Sequence, residues 1–490
     1  MKLIKGGAAI DSLMLTFVRV ITALISIIIY KLLAVNFSLD EYGLYSQVTL
    51  VATTMTSITI MGMSDALNYF FNKDLGGETG KQYVRTIIAL QCIIGFVGAI
   101  GILVFNNQIA GYFKNQEVRG LLIYIAFIPL LTNLLNMFQV MFVSYRKSKI
   151  IAARNLTYSI LKVLVVAVAS YWLKSIKCVL IGSLVIDLLM VGYMVCYCNR
   201  NFFKVDIFKA NLNLAKEIFF YSLPMAAFII TNSLSRNMDK LVIGWYGDST
   251  ELALYTIGAK ELPFDMLTAS FITVLIPYIT RFIANKEYDK AVSVFSKYIQ
   301  ISYVITWLIA GGALVTSKEL MLLLYDRKYI SALMVFCLYI LVDMFRFANT
   351  SLVFSAQGRT RELVVYSGSA LTLNVILNIV FYKWFGFVGP AVATVLITLV
   401  LSIVMLTRSG FLLNSNLLAL LNIKQLIVIF LECLVCGFIA FIIKCRLLQN
   451  MPTLLVFIVT YMVYGVPLLL MNLKRVIGLF KSINDVKMIN

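Results

Sequence analysis

The chain has 490 residues, of which 61% are apolar and only 13% are charged, and its formal net charge is +19. A soluble domain carries about 25% charged residues, so a chain with half that fraction is not expected to cover a water-exposed surface. It contains no histidine, the commonest general base, and its eight cysteines do not assemble a structural zinc site. The composition predicts a membrane protein that is not an enzyme and holds no metal, and its positive charge is explained first by topology rather than by nucleic acid.

Apolar runs long enough to cross a membrane recur along the whole chain. About 20 such residues span the hydrocarbon core, and about fourteen runs are predicted, at 10–35, 42–71, 83–105, 120–144, 151–173, 177–197, 215–245, 251–281, 294–316, 330–355, 362–383, 387–408, 421–443 and 452–473. With the N-terminus inside, the inner connections carry more than twice as many basic residues as the outer ones. This bias predicts that both termini are cytoplasmic.

The two halves of the chain resemble each other. Asp40–Tyr45 parallels Thr250–Tyr255, and the run from Trp172 parallels the run from Trp384, each at a spacing of about 210 residues. An even number of helices per half gives both halves the same orientation, related by a pseudo-two-fold axis along the membrane normal. The predicted all-α fold has a six-helix lobe at 1–200, a cytoplasmic linker at 201–214, a second six-helix lobe at 215–410, and an added helix pair with a cytoplasmic tail at 411–490.

Polar residues recur every three or four positions in some predicted spans. Such side chains are costly against lipid and face a cavity or a partner helix. The stripes comprise Ser12, Thr16, Arg19, Thr22 and Ser26 in the first span, Ser46, Thr49, Thr53, Ser57, Ser64 and Asn68 in the second, and Asn232, Ser235, Arg236 and Asp239 in the seventh. They predict a water-filled cleft between the lobes, with helix packing through Ser and Thr as the alternative.

The excess of basic residues within spans predicts an anionic substrate. Cations in a cleft with low-dielectric walls focus their field on an anion, and the donors of arginine form a fork that matches phosphate. The candidate substrate-binding residues are Arg19, Arg236, Lys260, Lys240 and Arg346. The alternative for Arg236, Lys240 and Arg346 is a structural salt bridge with Asp239 or Asp343.

Acidic residues and prolines suggest how movement is driven. The candidate ion-coupling residues are Asp65, Asp239, Glu261 and Asp265. Glu261 and Asp265 are like charges four residues apart, an unfavourable pair unless a cation, a proton or a neighbouring basic residue intervenes. No cofactor is expected, and H+ or Na+ is the candidate coupling ion. Proline removes a helical hydrogen bond, so Pro224, Pro263 and Pro277 are candidate hinges, although membrane helices also hold proline passively.

Three stretches carry a resemblance to a known family. They are Leu39–Tyr45, the segment from Asp239 through Lys260 and Pro263 to Arg281, and Asn374-x-x-x-Asn378 followed by Phe385–Thr394. In this order and spacing, over about 1–410, the chain resembles the Wzx-type polysaccharide and O-antigen flippases of the multidrug/oligosaccharidyl-lipid/polysaccharide exporter superfamily.

The resemblance implies a V-shaped pair of lobes around a basic cavity, in which Arg19, Arg236 and Lys260 match the cavity cations of relatives. It implies that an undecaprenyl-diphosphate-linked oligosaccharide, a repeat unit of O-antigen, capsule or exopolysaccharide, is flipped from the cytoplasmic to the outer leaflet of a bacterial inner membrane by alternating access. The expected partners are this substrate and the bilayer, with a polysaccharide polymerase and a chain-length regulator as candidate protein partners. The protein is expected to be a monomer.

Three alternatives stay open. A cation-coupled multidrug exporter of the same superfamily would use the acidic residues. A lipid II flippase would have a denser arginine cluster in its first two helices, where this chain has Arg19 and Lys31. A membrane polysaccharide polymerase, an enzyme, would be expected to carry a long outer loop with catalytic groups, and no predicted outer connection is long.

Overall fold

The structure, a computed structural model, describes residues 3–260, 262, 275 and 278–488, and helices joined by short connections make up nearly all of this range. The first half contains α1 (Leu3–Asn36), α2 (Leu39–Thr59), α3 (Met63–Lys73), α4 (Glu78–Val104), α5 (Asn106–Tyr112), α6 (Glu117–Ile125), α7 (Ile128–Ser144), α8 (Ser148–Val168), α9 (Ile176–Asn201), α10 (Leu212–Tyr246) and α11 (Ser249–Gly258). A π-helical turn, Ala169–Leu173, extends α8, and a 3-10 turn, Ile207–Lys209, precedes α10.

The second half also consists of helices joined by short connections. It contains α12 (Tyr288–Val315), α13 (Ser317–Leu324), α14 (Leu333–Phe345), α15 (Leu352–Ala356), α16 (Thr360–Phe385), α17 (Gly389–Leu412), α18 (Leu417–Leu421), α19 (Ile423–Leu447) and α20 (Thr453–Met488). Two 3-10 turns, Arg327–Ala332 and Gly386–Val388, precede α14 and α17. Across the described ranges the secondary structure is helical, which confirms the predicted all-α fold.

The helices are long and apolar enough for a multi-pass membrane protein. Within the described residues there are 12 candidate spans, and one of them, Arg361–Leu412, covers both α16 and α17. Most of the predicted eighth span, 251–281, lies outside the described residues. A multi-pass membrane protein is therefore confirmed, while the orientation of its termini stays a prediction.

The chain divides into two compact units, Met1–Leu254 and Tyr255–Asn490, called here unit 1 and unit 2. The predicted boundary between the lobes lies earlier, at the linker 201–214. The contacts divide the chain later because α10, which follows that linker, packs along α2, α3 and α4 of unit 1.

Aromatic and aliphatic side chains from α3, α4 and α7 form the core of unit 1. Phe70, Phe71, Phe138 and Phe142 are almost completely buried in it. Helix α1 packs along α8, which in turn contacts α9. Because lipid is as apolar as these side chains, the packing is favoured by close contact and hydrogen bonding more than by exclusion of water.

Helix α12 lies at the centre of unit 2 and packs against the two C-terminal helices, α19 and α20. Tyr461 and Tyr464 of α20 donate hydrogen bonds to the carbonyl oxygens of Ile309, at 3.1 Å, and of Trp307, at 3.0 Å. Gly312 leaves room for the Tyr461 ring, since a Cβ at this position would lie 2.7 Å from a ring carbon. Small residues allow this close approach between membrane helices, so the added helix pair is an integral part of unit 2.

Candidate functional site

The second membrane span, Leu39–Lys73, is broken between α2 and α3. Met61 and Gly62 have φ angles of 41° and 68°, in the left-handed region. Glycine adopts this region freely, whereas another residue pays about 1–2 kcal/mol. A Cβ on Gly62 would also lie 2.6 Å from the carbonyl oxygen of Ser222 in α10. Two constraints, the left-handed φ and the close approach of α10, therefore require glycine at position 62. The apolar pattern of 42–71 does not reveal this break.

Two buried amides support the broken end of α2. The side chains of Gln91 in α4 and Asn133 in α7 are fully buried. Gln91 Nε2 donates to the carbonyl oxygen of Thr59 at 3.1 Å, and Asn133 Nδ2 donates to Thr59 Oγ1 and to the carbonyl oxygen of Thr56, both at 3.1 Å. The carbonyl of Thr56 also accepts the N–H of Ile60, whereas a carbonyl that loses its helical partner inside a membrane, as at Thr59, needs such a replacement. The break is thus a built feature of unit 1.

Helix α10 is attached to the same region of unit 1. Ser233 and Ser57 of α2 share a hydrogen bond of 2.5 Å, and the rings of Tyr221 and Tyr69 stack with centroids 4.7 Å apart. At Ser57, therefore, the polar stripe serves helix packing, the alternative to a cleft. Pro224 lies inside α10, which is helical from Leu212 to Tyr246, and its role as a hinge stays a prediction.

The first turn of α2 meets the first turn of α11. Asp40 Oδ1 accepts hydrogen bonds from Ser249 Oγ at 3.0 Å and Thr250 Oγ1 at 2.8 Å. Gly43 lies so close to Ser249 that a Cβ would overlap its carbonyl group. The structure thus brings together the two segments that the internal repeat pairs in sequence. A cavity of about 560 Å³ lies beside this contact, with Asp40, Lys114 and Asp248 in its lining.

Tyr112 adds a further link near this cavity. Its hydroxyl donates to the carbonyl oxygen of Leu241 in α10 at 2.5 Å. Burial raises the pKa of Tyr112 to about 12, so the hydroxyl keeps its proton, and remains a donor, at neutral pH. This bond holds the C-terminal part of α10 against α5, and the Asp40 contact holds the start of α11 against α2.

The predicted cations fall into two groups. Arg19 on α1 and Arg236 on α10 are exposed, and within the part of the chain that the structure describes neither guanidinium makes a hydrogen bond or an ion pair. Lys240 is half-buried on α10. Lys260 and Arg346 belong to unit 2, and each interacts with another group. Unit 1 thus holds three of the five predicted cations, and two of them, Arg19 and Arg236, are exposed and have no ion-pair partner among the described residues.

Three other basic residues on membrane helices form ion pairs. Lys444 and Glu319 lie 2.6 Å apart, Arg408 and Glu362 lie 2.9 Å apart, and Arg475 and Glu432 lie 3.3 Å apart. An intramembrane charge with an opposite partner is a structural pair, whereas one without needs water or a ligand. Arg19 and Arg236 are set apart from these pairs by this difference.

The predicted acidic residues are only partly described. Asp65 is half-buried on the first turn of α3. Asp239 is buried on α10, where its Oδ1 accepts the backbone N–H of Lys240 at 2.8 Å. The candidate ion-coupling residues Glu261 and Asp265 and the candidate hinges Pro263 and Pro277 lie outside the described residues.

One buried polar cluster was missed by the sequence predictions. Asp187 of α9 is 1% exposed and accepts a hydrogen bond of 2.7 Å from the hydroxyl of Tyr158 in α8. Lys162 Nζ lies 4.6 Å from the centre of the Tyr158 ring, and Arg154 donates to Gln139 Oε1 at 3.3 Å. The spacing of Arg154, Tyr158 and Lys162 by four residues was a visible signal, since it places all three on one face of a helix.

Comparisons with known proteins agree with this architecture. A sequence model described as polysaccharide biosynthesis protein matches residues 32–334, which is more than half of the chain. The chain belongs to the polysaccharide biosynthesis protein family. The match runs through the broken second span and α10 and continues into unit 2. No curated protein sequence matches this family member.

Solved structures of two transporters have a similar fold. The family member is similar to the lipid II flippase MurJ in an inward closed conformation, with a TM-score of 0.67 and 15% identity over 94% of this chain and 99% of that one. It is also similar to an inward-facing multidrug resistance MATE transporter of the MOP superfamily, with a TM-score of 0.63 and 13% identity over 80% and 94% of the two chains. These similarities show a shared fold, and the family match confirms the predicted resemblance to polysaccharide proteins.

Proposed function

We propose that this protein is a flippase that moves a polyprenyl-diphosphate-linked oligosaccharide across a bacterial cytoplasmic membrane. The observation that carries the proposal is the pair Arg19 and Arg236, two exposed guanidinium groups on membrane helices that have no acidic partner among the described residues. A charge in such a position is retained for a substrate or a water-filled path. The family match supports a glycan as the cargo.

The chemistry of the two arginines favours a diphosphate. Each guanidinium offers a planar fork of donors that matches two phosphate oxygens. An ionised diphosphate carries the opposite charge that these groups lack within the described part of the chain. The sugar and diphosphate would cross beside the polar helix faces while the polyprenyl chain stays in lipid, and rocking of the helices would alternate the opening.

The test is export of surface polysaccharide in cells that lack the native protein and carry Arg19→Ala or Arg236→Ala. We expect both variants to reach the membrane in normal amount and to lose export, while Arg19→Lys and Arg236→Lys keep part of it because the charge remains without the fork. Arg119→Ala, which removes an exposed cation from the first turn of α6, is the matched control and should export normally. Normal export by both arginine-to-alanine variants refutes the proposal.

The same cells separate the alternatives. Accumulation of lipid-linked oligosaccharide with an intact cell wall supports the proposed substrate. Loss of wall synthesis instead indicates a lipid II flippase, and loss of drug resistance with normal export indicates a multidrug exporter. Unpolymerised repeat units on the outer surface would indicate a polymerase, because they show that flipping itself is intact.

A further inference from the structure

The break between α2 and α3 leaves two buried oxygen atoms without partners. Gln91 Oε1 and Asn133 Oδ1 are buried, and neither accepts a hydrogen bond from any described residue. Their orientation is fixed, because each amide nitrogen donates to a backbone carbonyl, which can only accept. The oxygens cannot exchange places with the nitrogens without losing those bonds. A buried carbonyl oxygen that lacks a donor is costly, so this pair points to a bound species.

Both amides meet at the same residue. Gln91 binds the backbone oxygen of Thr59, and Asn133 binds its hydroxyl. Ser64, on the first turn of α3, adds a third buried oxygen without a partner among the described residues, its Oγ. Three oxygen atoms from three membrane spans are thus left unsatisfied around one break. All three can accept, and the two amide oxygens can only accept.

The electrostatics of the break favour a cation. The C-terminal end of α2 carries the partial negative charge of its helix dipole. Asp65, three residues after Gly62, is half-buried and makes no ion pair within the described residues. Interrupted membrane helices use their C-terminal ends and free oxygens to coordinate small cations.

We propose that the break in the second span binds a monovalent cation, with Gln91 Oε1 and Asn133 Oδ1 as ligands and Asp65 as the counter-charge. Ser64 Oγ and the end of α2 complete its surroundings. The site lies wholly within unit 1 and differs from the predicted ion-coupling set, of which it uses only Asp65. It does not depend on the identity of the transported substrate.

The probe is sodium ion, and the measurement is the unfolding temperature of the purified full-length protein in lipid nanodiscs. Sodium, potassium and choline chloride are compared at constant ionic strength and constant chloride. A ligand that binds only the folded state raises the unfolding temperature with the logarithm of its concentration. We expect a sodium-dependent rise of this form, which choline does not give. Equal unfolding temperatures in sodium, potassium and choline overturn the proposal and indicate that water alone satisfies the amides.

Variants locate the site. Gln91→Leu and Asn133→Leu should weaken the apparent sodium affinity at least tenfold, and Asp65→Asn should weaken it by a similar factor. Gln47→Leu is the matched control. Gln47, on α2, is likewise a buried amide, but its side-chain oxygen already accepts a hydrogen bond of 3.0 Å from Asn115. This control should lose stability and keep its sodium response. An unchanged sodium response in Gln91→Leu or Asn133→Leu overturns the proposal. If these two variants do not fold, an unchanged sodium response in Asp65→Asn overturns it instead.

Discussion

Substitution of Gly62 tests whether the break in the second span is fixed by close contact with α10. Gly62→Ala places a methyl group 2.6 Å from the carbonyl oxygen of Ser222 and 3.1 Å from the backbone nitrogen of Ala226. Both are backbone atoms, so no flexible side chain can move aside. The methyl group must displace α10 or the break itself.

Gly76 offers a matched control in the same unit. Its φ of 83° is also left-handed, but a Cβ there would meet nothing within 4 Å. Alanine with a left-handed φ destabilises the folded state by about 1–2 kcal/mol. It also restricts the unfolded chain more than glycine does, which offsets about 0.4–1 kcal/mol of this loss. Gly76→Ala should therefore lose about 0.5–1 kcal/mol. Gly62→Ala adds an overpacking cost of about 1–3 kcal/mol, which brings its expected loss to about 1.5–4 kcal/mol.

The assay is thermal unfolding of the purified variants in nanodiscs, followed by tryptophan fluorescence. The unfolding temperature should fall clearly for Gly62→Ala and only slightly for Gly76→Ala. Polysaccharide export in cells should follow the same order, because a displaced α10 also moves Arg236. Equal losses for the two variants would show that backbone strain alone matters and would refute the argument from close contact.

Three further predictions concern buried polar contacts. Glu319→Ala leaves Lys444 uncompensated and should cost about 3–5 kcal/mol of stability, whereas a double replacement of both residues by leucine should recover most of it in a double-mutant cycle. Asp187→Asn can still accept the hydrogen bond from Tyr158, so it should lower the unfolding temperature less than Asp187→Ala does. Tyr112→Phe removes one hydrogen bond to α10 and should cost about 0.5–1.5 kcal/mol, and no change in unfolding temperature would contradict this role.

The helical fold could be predicted from the sequence because bilayer thickness imposes a length on every span. Runs of about 20 apolar residues are rare outside membrane spans, and only helices satisfy the backbone within such a run. The predicted lobe boundary at 201–214 stays a prediction, and the contacts divide the chain at another place, after Leu254. The repeat starts a new half at α10, yet the side chains of Ser233 and Tyr221 pack on unit 1. Sequence repeats record similarity between segments, whereas a compact unit depends on contacts.

The break at Met61 and Gly62 escaped prediction for a related reason. Apolar composition continues through it, and a glycine in a membrane span is ordinary. The break can be recognised only from its contacts with Gln91 and Asn133. These residues lie in other spans, where a single amide in the sequence gives no signal. The Asp187 cluster is similar, because its acidic and basic members come from α9 and α8. Pairings between helices are set by tertiary packing, which periodicity along one helix does not report.

Whether a charge has an ion-pair partner separates the predicted substrate-binding cations into two kinds. Five cations within spans looked equivalent by composition, but Lys260 and Arg346 each interact with another group, whereas the guanidinium groups of Arg19 and Arg236 interact with no described residue. A paired charge balances its own desolvation, so its loss should mainly reduce stability. An unpaired one contributes little to the fold, so its loss should reduce transport and leave stability nearly unchanged. Comparison of the unfolding temperatures of Arg236→Ala and Arg475→Ala distinguishes these roles, since only the second variant leaves a carboxylate, that of Glu432, without its ion-pair partner.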